Sequence, residues 1–537
     1  MGALATASMA GQLDRVKQSA GAMAVAEGSA VAIVAGLLRF DAIQRYGFNS
    51  DEAVYSGQAA AIAGLQPYDQ LFGVFRAHPL LVHFLVALGY QVTGVNDWLP
   101  RLLCAGFGVG LALLCWATAR LVQGRLGGVA AGLVAAACPY GVIVSRQVLL
   151  DGPAATLVAL TAFLLAVWLT RRAPSWLYAA AGAAGLAFLA KETAVLLLPA
   201  GLVLLVLTRE LPLRPRIDLP VAALVYAVAV APYPLSLALG GGGGTAGEFL
   251  AWQFLRRPNH DAAFYLGVVP ALGYVTVALA LLGMVAAYQR RHALATFLAA
   301  FLVLNLAFFE AWPTKGFQYL LPVLPALAYF AGEAVAALGW LARRAGRTRR
   351  TRASWRLAAA LAAALALGSL VAGGESAVTA PAAQVATDSD SSDVPLAATG
   401  ALAGTGGLAA GRPAGQWVRA HTLATDEFIT VGPSFANVIQ FYGGRKARAL
   451  SVSTNPLRRN PTYEPVPNPD ASIRSGTVKY LVYDAYSAAR SPFFARKLLS
   501  YAKKFSAATV YEYRQPAASN RHERSGAIVV VIYAVYP

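Results

Sequence analysis

The sequence predicts an all-α polytopic membrane domain of about eleven spans, with juxtamembrane helices on its outer side and a small C-terminal α/β domain after it. Three observations carry this reading. The 537 residues are 57% hydrophobic and 13% charged, with a mean hydropathy of +0.53, whereas a soluble globular chain carries roughly 25% charged residues. Apolar stretches of about 20 residues, the length that crosses a bilayer, recur as far as residue 373. Beyond residue 415 the apolar period shortens to that of strands.

The net charge of +18 does not point to nucleic acid, because the basic residues are dispersed at the ends of apolar segments rather than gathered on one patch. Cys104, Cys115 and Cys138 all lie in apolar segments, so no disulfide framework is available to the polar C-terminal third, and redox chemistry is not the expected function. Arg15 and Lys17 precede an apolar run long enough to span, which reads as an uncleaved anchor.

In chain order the spans are expected at residues 20–39, 99–120, 126–144, 152–170, 175–190, 192–208, 219–239, 264–288, 293–310, 317–341 and 356–373. Pro79–Val95 is apolar but short, contains His83 and Gln91, and is expected to lie in the outer interface. With the N-terminus inside, the inner loops hold Arg120, Arg125, Arg171, Arg172, Arg209, Arg214, Arg216, Arg290, Arg291 and the run Arg343–Arg356. The outer loops mix acids with bases, which is the asymmetry of the positive-inside rule. Counting Pro79–Val95 as a span would invert every later loop and break that pattern.

Residues 1–373 thus form the membrane domain, with its first outer loop at 41–98, and 374–415, rich in Ala, Gly, Ser and Asp, reads as a flexible linker. Residues 416–537 form an external α/β domain, with strands at FITVG, KARALSV, VKYLVYD, TVYEY and IVVVIYAVY and helices at FANVIQFYGG and PFFARKLLSYAKKF. Glu27 and Glu333 fall within spans near the inner side, where interhelical hydrogen bonding accounts for them.

The ionisable residues of the outer side carry the chemistry. Asp51 and Glu52 sit in FNSDEAVYSGQAAAIAG, where Asn49 and Glu52 also have the spacing of a helix capping box. Asp151, Lys191, Glu192, Glu310 and Lys315 lie at outer ends of other spans, in SRQVLLDGP, FLAKETAV and FEAWPTKGF. Any one turn carries charge simply to stay wet. The set is different, because both signs converge on one face at membrane level, where charge is expensive. Such a pocket provides a carboxylate to deprotonate a hydroxyl and cations to hold a departing phosphate.

SDEAVY, RAHPLLVHFLVALGYQVTG with WLPRLL, SRQVLLDGPAA, FLAKETAVLLLPA and TKGFQYLLPVLPALAYFAG stand in an order and spacing that resembles the membrane glycosyltransferases of C-type (GT-C) fold. The protein O-mannosyltransferases and lipid A aminoarabinose transferases are the similar families, over residues 20–341. That resemblance implies Asp51 as catalytic carboxylate, Glu52 as its motif partner and Asp151 as a second acid. Arg76, His78, Lys191, Arg256, Arg257, His260 and Lys315 are implied in substrate binding, with Arg256, Arg257 and His260 in a loop over the site hinged by the Gly240–Gly244 run, and Arg146 joins them as a further cation of the outer turns at membrane level. The chain at 76–80, Arg-Ala-His-Pro-Leu, departs from the basic-Pro-Pro of many relatives, which leaves the cationic role between Arg76 and His78.

The expected activity is glycosyl transfer, with inversion, from a polyprenyl-phosphate sugar to a hydroxyl of protein, lipid or cell-envelope glycan on the outer face of a bacterial cytoplasmic membrane. The alternative is a membrane transporter or flippase for an envelope precursor, which calls for ionisable residues and broken helices near the bilayer midplane. No cofactor is implied, a divalent metal being left open, and no nucleic acid partner is expected. His260 alone lacks partners at ligand spacing, so no metal site is read. The orientation is testable in a variant lacking the native cysteines. Single cysteines at Ser389 and Ser475 should react with an impermeant reagent in intact cells while one at Thr348 stays protected, and labelling at Thr348 alone would reverse the topology.

Overall fold

The computed structural model describes residues 2–74, 78–208, 210–239, 243–256, 258, 261–345, 368, 407–408, 410–514 and 528–536. Five helical segments are each long and apolar enough to cross a membrane: Gly21–Phe40, Leu99–Gln123, Asp151–Arg171, Ala293–Ala311 and Phe317–Leu341. The number rises to eight if three bent pairs each count as one span. Pro174–Ala190 and Glu192–Leu207 are apolar but shorter, and 356–373 lies outside the described residues except for Gly368. The expected eleven spans are therefore not reached among the described residues.

A run of apolar residues also does not reveal where a helix breaks, and three of the expected spans are bent. Arg125–Ala137 and Pro139–Ser145 meet at 55°, Pro215–Val230 and Pro232–Leu239 at 44°, and Phe264–Leu272 and Tyr274–Arg290 at 97°. Proline at the first two breaks cannot donate to the preceding turn. Gly273 takes φ +85 at the third, a conformation open to glycine. At the first break the freed carbonyls are bonded by Arg39, which is fully buried and donates to Ala136 O at 2.6 Å, Ala135 O at 3.1 Å and Ser145 Oγ at 2.9 Å. At the opposite end of the spans, Glu27 pairs with Arg120 (3.2 Å) and with Arg125, and Glu333 pairs with Arg290 (2.7 Å). The two acids expected to bond between helices thus do so as ion pairs.

The loop at 41–98, expected on the outer side, folds into helices Ser50–Ile62, Tyr68–Leu71 and Leu81–Thr93. The last, expected as an interface helix, has 13 residues and buries Val82, His83, Val86, Ala87 and Tyr90. Phe84, Leu88 and Val92, four residues apart, form an exposed apolar stripe on its other side. An apolar stripe on a helix too short to span suits lying along a bilayer surface.

The C-terminal domain is a five-stranded mixed sheet in the order β2-β1-β3-β5-β4, formed by β1 Glu427–Thr430, β2 Ala447–Ala449, β3 Val478–Asp484, β4 Ala508–Arg514 and β5 Ile528–Ala534. All five strands expected from the sequence are present. Successive residues of β1 face opposite sides, as a strand requires. Ile429 joins a core with Leu498 of helix Pro492–Lys504, while Phe428 joins a second core. That second core also contains Phe48, Ala53, Tyr68 and Tyr90 of the first outer loop, so the two domains share one hydrophobic cluster.

Polar contacts fix the junction. Phe48 and Phe441 have ring centroids 4.9 Å apart, the Phe48 amide donates to Tyr442 Oη at 2.9 Å, and Tyr442 Oη donates to Asp97 at 2.8 Å. Arg412 pairs with the same Asp97 at 2.5 Å and donates to Tyr46 O at 2.8 Å. Arg412 belongs to helix Gly411–His421, which begins inside the stretch read from sequence as linker. Tyr442→Phe removes both hydroxyl bonds and should weaken the junction by about 1–3 kcal/mol, seen as faster proteolytic release of the C-terminal domain. Equal cleavage rates for the two proteins would show that these bonds do not hold the junction.

Candidate active site

The helix Ser50–Ile62 starts with the capping box that the sequence suggested. Asn49 Oδ1 accepts the Glu52 amide at 2.9 Å, and Glu52 Oε2 accepts the Asn49 amide at 3.0 Å. Glu52 is fully buried and does much more than cap. Arg101 Nε donates to its Oε1 and Arg101 Nη2 to its Oε2, both at 2.7 Å, and the Val148 amide donates to Oε1 at 3.2 Å. The rest of the Arg101 guanidinium bonds Ile43 O, Tyr46 O and Gly47 O. Its charge is spent on the loop before the helix.

Adjacent residues of a helix point about 100° apart, so fixing Glu52 inward sends Asp51 elsewhere. Asp51 opens into a cavity of about 1120 Å³ between the membrane domain and the C-terminal domain. Among the described residues its carboxylate makes no hydrogen bond or ion pair. Enclosure by protein raises its pKa above the usual aspartate value, Lys191 works against that rise, and Asp151 adds to it.

An ion pair and a histidine–carboxylate contact shape the wall beneath. Lys191 Nζ meets Asp151 Oδ1 at 2.6 Å with both side chains nearly buried, and the ammonium also lies 4.4 Å from the Tyr319 ring centroid. His78 Nδ1 sits 3.0 Å from Glu192. Asp51, His78, Lys191, Glu192 and Arg256 all line the cavity, whereas Asp151 stands behind Lys191. Arg256 lies over the Trp252 ring, 4.7 Å from its centroid.

Other expected binding residues point elsewhere. Arg146 donates to Leu38 O (2.9 Å), Arg39 O (3.2 Å) and Asp41 O (2.7 Å), so it satisfies the open carbonyls at the end of the first helix. Lys315 donates to Glu310 O at 2.7 Å and pairs with its carboxylate at 3.0 Å, closing the turn between two spans. Neither side chain is part of the cavity wall. Arg76, Arg257, His260 and Gly240–Gly242 lie outside the described residues.

Several wall residues escaped the sequence reading. Tyr55 and Tyr319 flank Asp51 from the membrane side, and Asn437, Lys446, Arg448, Tyr463, Tyr486 and Arg490 line the cavity from the C-terminal domain. Asn437 Nδ2 donates to Ser50 Oγ at 3.1 Å and to Tyr463 Oη at 3.3 Å, which places the Tyr463 loop beside Asp51. His83 is buried edge-on to Tyr55, and burial lowers its pKa to about 3, so it is neutral. Among the described residues no group of three or more His, Cys, Asp or Glu side chains is placed to hold a metal ion.

Bent and straight apolar helices, a helical first loop carrying an acid at its head, and an α/β domain closing over it make a fold that is shared with solved structures of ArnT and of an archaeal oligosaccharyltransferase. The sequence profile described as "Dolichyl-phosphate-mannose-protein mannosyltransferase" matches residues 77–235. The structure of ArnT from Cupriavidus metallidurans bound to undecaprenyl phosphate matches with a TM-score of 0.63 and 18% identity, covering 96% of this chain and 98% of that one. Its apo form matches with a TM-score of 0.66, 17% identity and the same coverage. The Archaeoglobus fulgidus oligosaccharyltransferase in complex with Zn and sulfate matches with a TM-score of 0.55 and 14% identity, over 95% of this chain and 73% of that one. No curated protein matches in sequence.

The two acids of the first loop are separable by substitution. Arg101→Met leaves Glu52 buried without its cation and should cost about 3–5 kcal/mol of stability, whereas Asp51→Asn keeps size and should leave the melting temperature nearly unchanged. Unfolding of Asp51→Asn at wild-type melting of Arg101→Met would exchange the two roles.

Proposed function

We propose that the protein transfers a glycosyl group from a polyprenyl-phosphate sugar to an acceptor hydroxyl on the outer face of a bacterial cytoplasmic membrane, with inversion and with Asp51 as general base. The observation that carries this reading is the unpartnered Asp51 carboxylate, open to a cavity that is also lined by Lys191, His78 and Arg256. ArnT, whose fold this chain shares, is seen with undecaprenyl phosphate, and that supports a lipid phosphate as the carrier.

In this reaction the acceptor oxygen attacks the anomeric carbon while its proton passes to Asp51. The bond from the anomeric carbon to the phosphate oxygen breaks, and the electron pair leaves with the phosphate. A base with a pKa raised toward working pH is better matched to accept that proton than an ordinary aspartate. Arg256 is the cation best placed to hold the phosphate, because among the described residues no carboxylate lies at ion-pair distance from it, while Lys191 is paired with Asp151. The lipid chain is accommodated by the aromatic and aliphatic wall of Phe249, Trp252, Phe308 and Trp312. Glu52 acts as a positioning residue in this scheme, and Asp151 sets the place of Lys191. The flippase alternative gains nothing from the broken helices, since the carbonyls freed at the 55° break are bonded by Arg39 rather than turned to a pathway.

Three outcomes follow for purified protein. Asp51→Asn should lower turnover by roughly 10² to 10⁴. Activity should require a polyprenyl-phosphate sugar, survive chelators and fall on Arg256→Gln; comparable transfer from a nucleotide sugar with that variant fully active would remove the phosphate-binding role. The base must be ionised, so kcat/KM should fall as pH drops through the raised pKa of Asp51, an acid limb above the usual value near 4. Lys191→Met removes the cation that opposes the rise and should move that limb to higher pH; an unmoved limb would detach the titration from Asp51.

A further inference from the structure

The cavity is larger than the roughly 300–1,000 Å³ typical of a pocket for one small ligand, at about 1120 Å³. Its two walls come from different domains and meet at Asp51. The membrane-domain wall mixes aromatic and aliphatic residues such as Phe249, Trp252, Phe308 and Trp312 with polar ones such as Gln58, Gln147 and Gln318. The C-terminal wall presents Asn437, Asn460, Thr462, Tyr463, Tyr486 and Arg490, a set of planar and hydroxylic side chains.

The charges of these walls are mostly paired. Lys191 meets Asp151, His78 meets Glu192, Lys446 meets Glu464 at 3.1 Å, and Arg448 meets Glu427 at 2.6 Å. Among the described residues Arg256 and Arg490 depart from this pattern. Neither has a carboxylate at ion-pair distance, and each guanidinium lies instead over an aromatic ring four residues earlier, Trp252 at 4.7 Å and Tyr486 at 4.2 Å. Arg490 also donates to Tyr486 Oη. A cation–π contact orients a guanidinium without neutralising it, and an oriented, uncompensated guanidinium recognises carboxylate or phosphate in a two-pronged way. The cavity therefore offers two sites for anions, one on each wall.

Arg256 serves the donor phosphate in the reading above, which leaves Arg490 without a task. We propose that Tyr486 and Arg490, with Tyr463 beside them, form an acceptor subsite for an anionic sugar, the ring lying against a tyrosine face and its carboxylate or phosphate held by Arg490. This inference rests on the reading of Asp51 as the base, since the subsite presents a sugar hydroxyl to that carboxylate. The distance is short. Ser50, the neighbour of Asp51, bonds Asn437, and Asn437 bonds Tyr463. Burial and, after it, the charge of Asp51 raise the Tyr463 pKa; the Tyr486 pKa is raised by burial and by Asp51 while Arg490 opposes the rise. A sugar suits these surfaces better than an extended peptide does, because aromatic faces with hydroxyl and amide rims offer an apolar plane beside hydrogen-bonding groups. Arg490 at the rim of the plane then selects for negative charge.

Binding tests the subsite without any turnover, so its result stands apart from that of Asp51→Asn. Full-length protein in nanodiscs, saturated with polyprenyl phosphate to fill the Arg256 site, is incubated with labelled glucuronate, glucose 6-phosphate, glucose, inorganic phosphate or a phosphoserine peptide. The wild type should retain one or both anionic sugars at least tenfold better than glucose and inorganic phosphate, and which of the two is retained more tightly separates a carboxylate acceptor from a phosphate one. Arg490→Gln should abolish that preference, and Tyr486→Ala should weaken retention of the anionic sugars by a comparable factor. Equal retention of charged and neutral sugars, an Arg490→Gln protein with its preference intact, or preferential capture of phosphate alone or of the phosphopeptide would overturn the proposal.

Discussion

The fork between Arg101 and Glu52 is the constraint on which the cavity-bearing half of the molecule depends. Both side chains are buried, and removing two charges from water costs several kcal/mol each unless every remaining donor and acceptor is met. Here they are met: Glu52 accepts from Arg101 twice and from two backbone amides, and Arg101 spends its other donors on three carbonyls of the loop after the first helix. One ion pair thus ties together the end of the first span, the head of the Ser50–Ile62 helix, the start of the Leu99–Gln123 span and the chain at Val148. The arrangement admits a single rotation of the Ser50–Ile62 helix, and that rotation is what turns Asp51 toward the cavity.

The same logic separates the remaining charges into two populations. Paired charges such as Lys191 with Asp151 and His78 with Glu192 have found their electrostatic minimum within the protein; they define the shape of the wall and bias the pKa of Asp51. Charges without a partner of opposite sign keep their field available to a ligand. Among the described residues that line the cavity, Asp51, Arg256 and Arg490 are of this kind, and the proposed reading gives them the roles of base and of two anion sites. The residues that do chemistry in this reading are the ones the fold leaves electrostatically unsatisfied.

The legible and illegible parts of the sequence divide along physical lines. The strands of the C-terminal domain were readable because alternation and β-branched residues in IVVVIYA or VKYLVYD are local signals. The capping box was readable for the same reason, since both partners lie within four residues. The bends inside spans were not, because hydropathy sums across Pro139, Pro232 and Gly273, where the helices change direction. Arg146 and Lys315 were expected at the ligand because charge at a membrane surface is costly, and the structure meets that cost with nearby carbonyls and Glu310 instead. Tyr463, Tyr486 and Arg490 were invisible because their significance comes from a domain packing against a loop some four hundred positions earlier in the chain, for which no local pattern exists.

That packing also bears on how the two domains work. Phe48, three residues before Asp51, belongs to the same hydrophobic cluster as Phe428, Phe435 and Phe441, and its amide is held by Tyr442. A domain merely tethered to the membrane portion would leave the distance between Asp51 and the opposite wall to diffusion, and productive geometry has to be held within about 0.5 Å. Sharing a core removes that freedom. Asp51 and the wall that faces it are then parts of one packed body, anchored at Phe48 on one side of the helix head and at Glu52 on the other. Substrates must enter through the cavity mouth or between helices, since separation of the domains would expose the aromatic cluster to water and break the Tyr442 and Arg412 contacts to Asp97 at once.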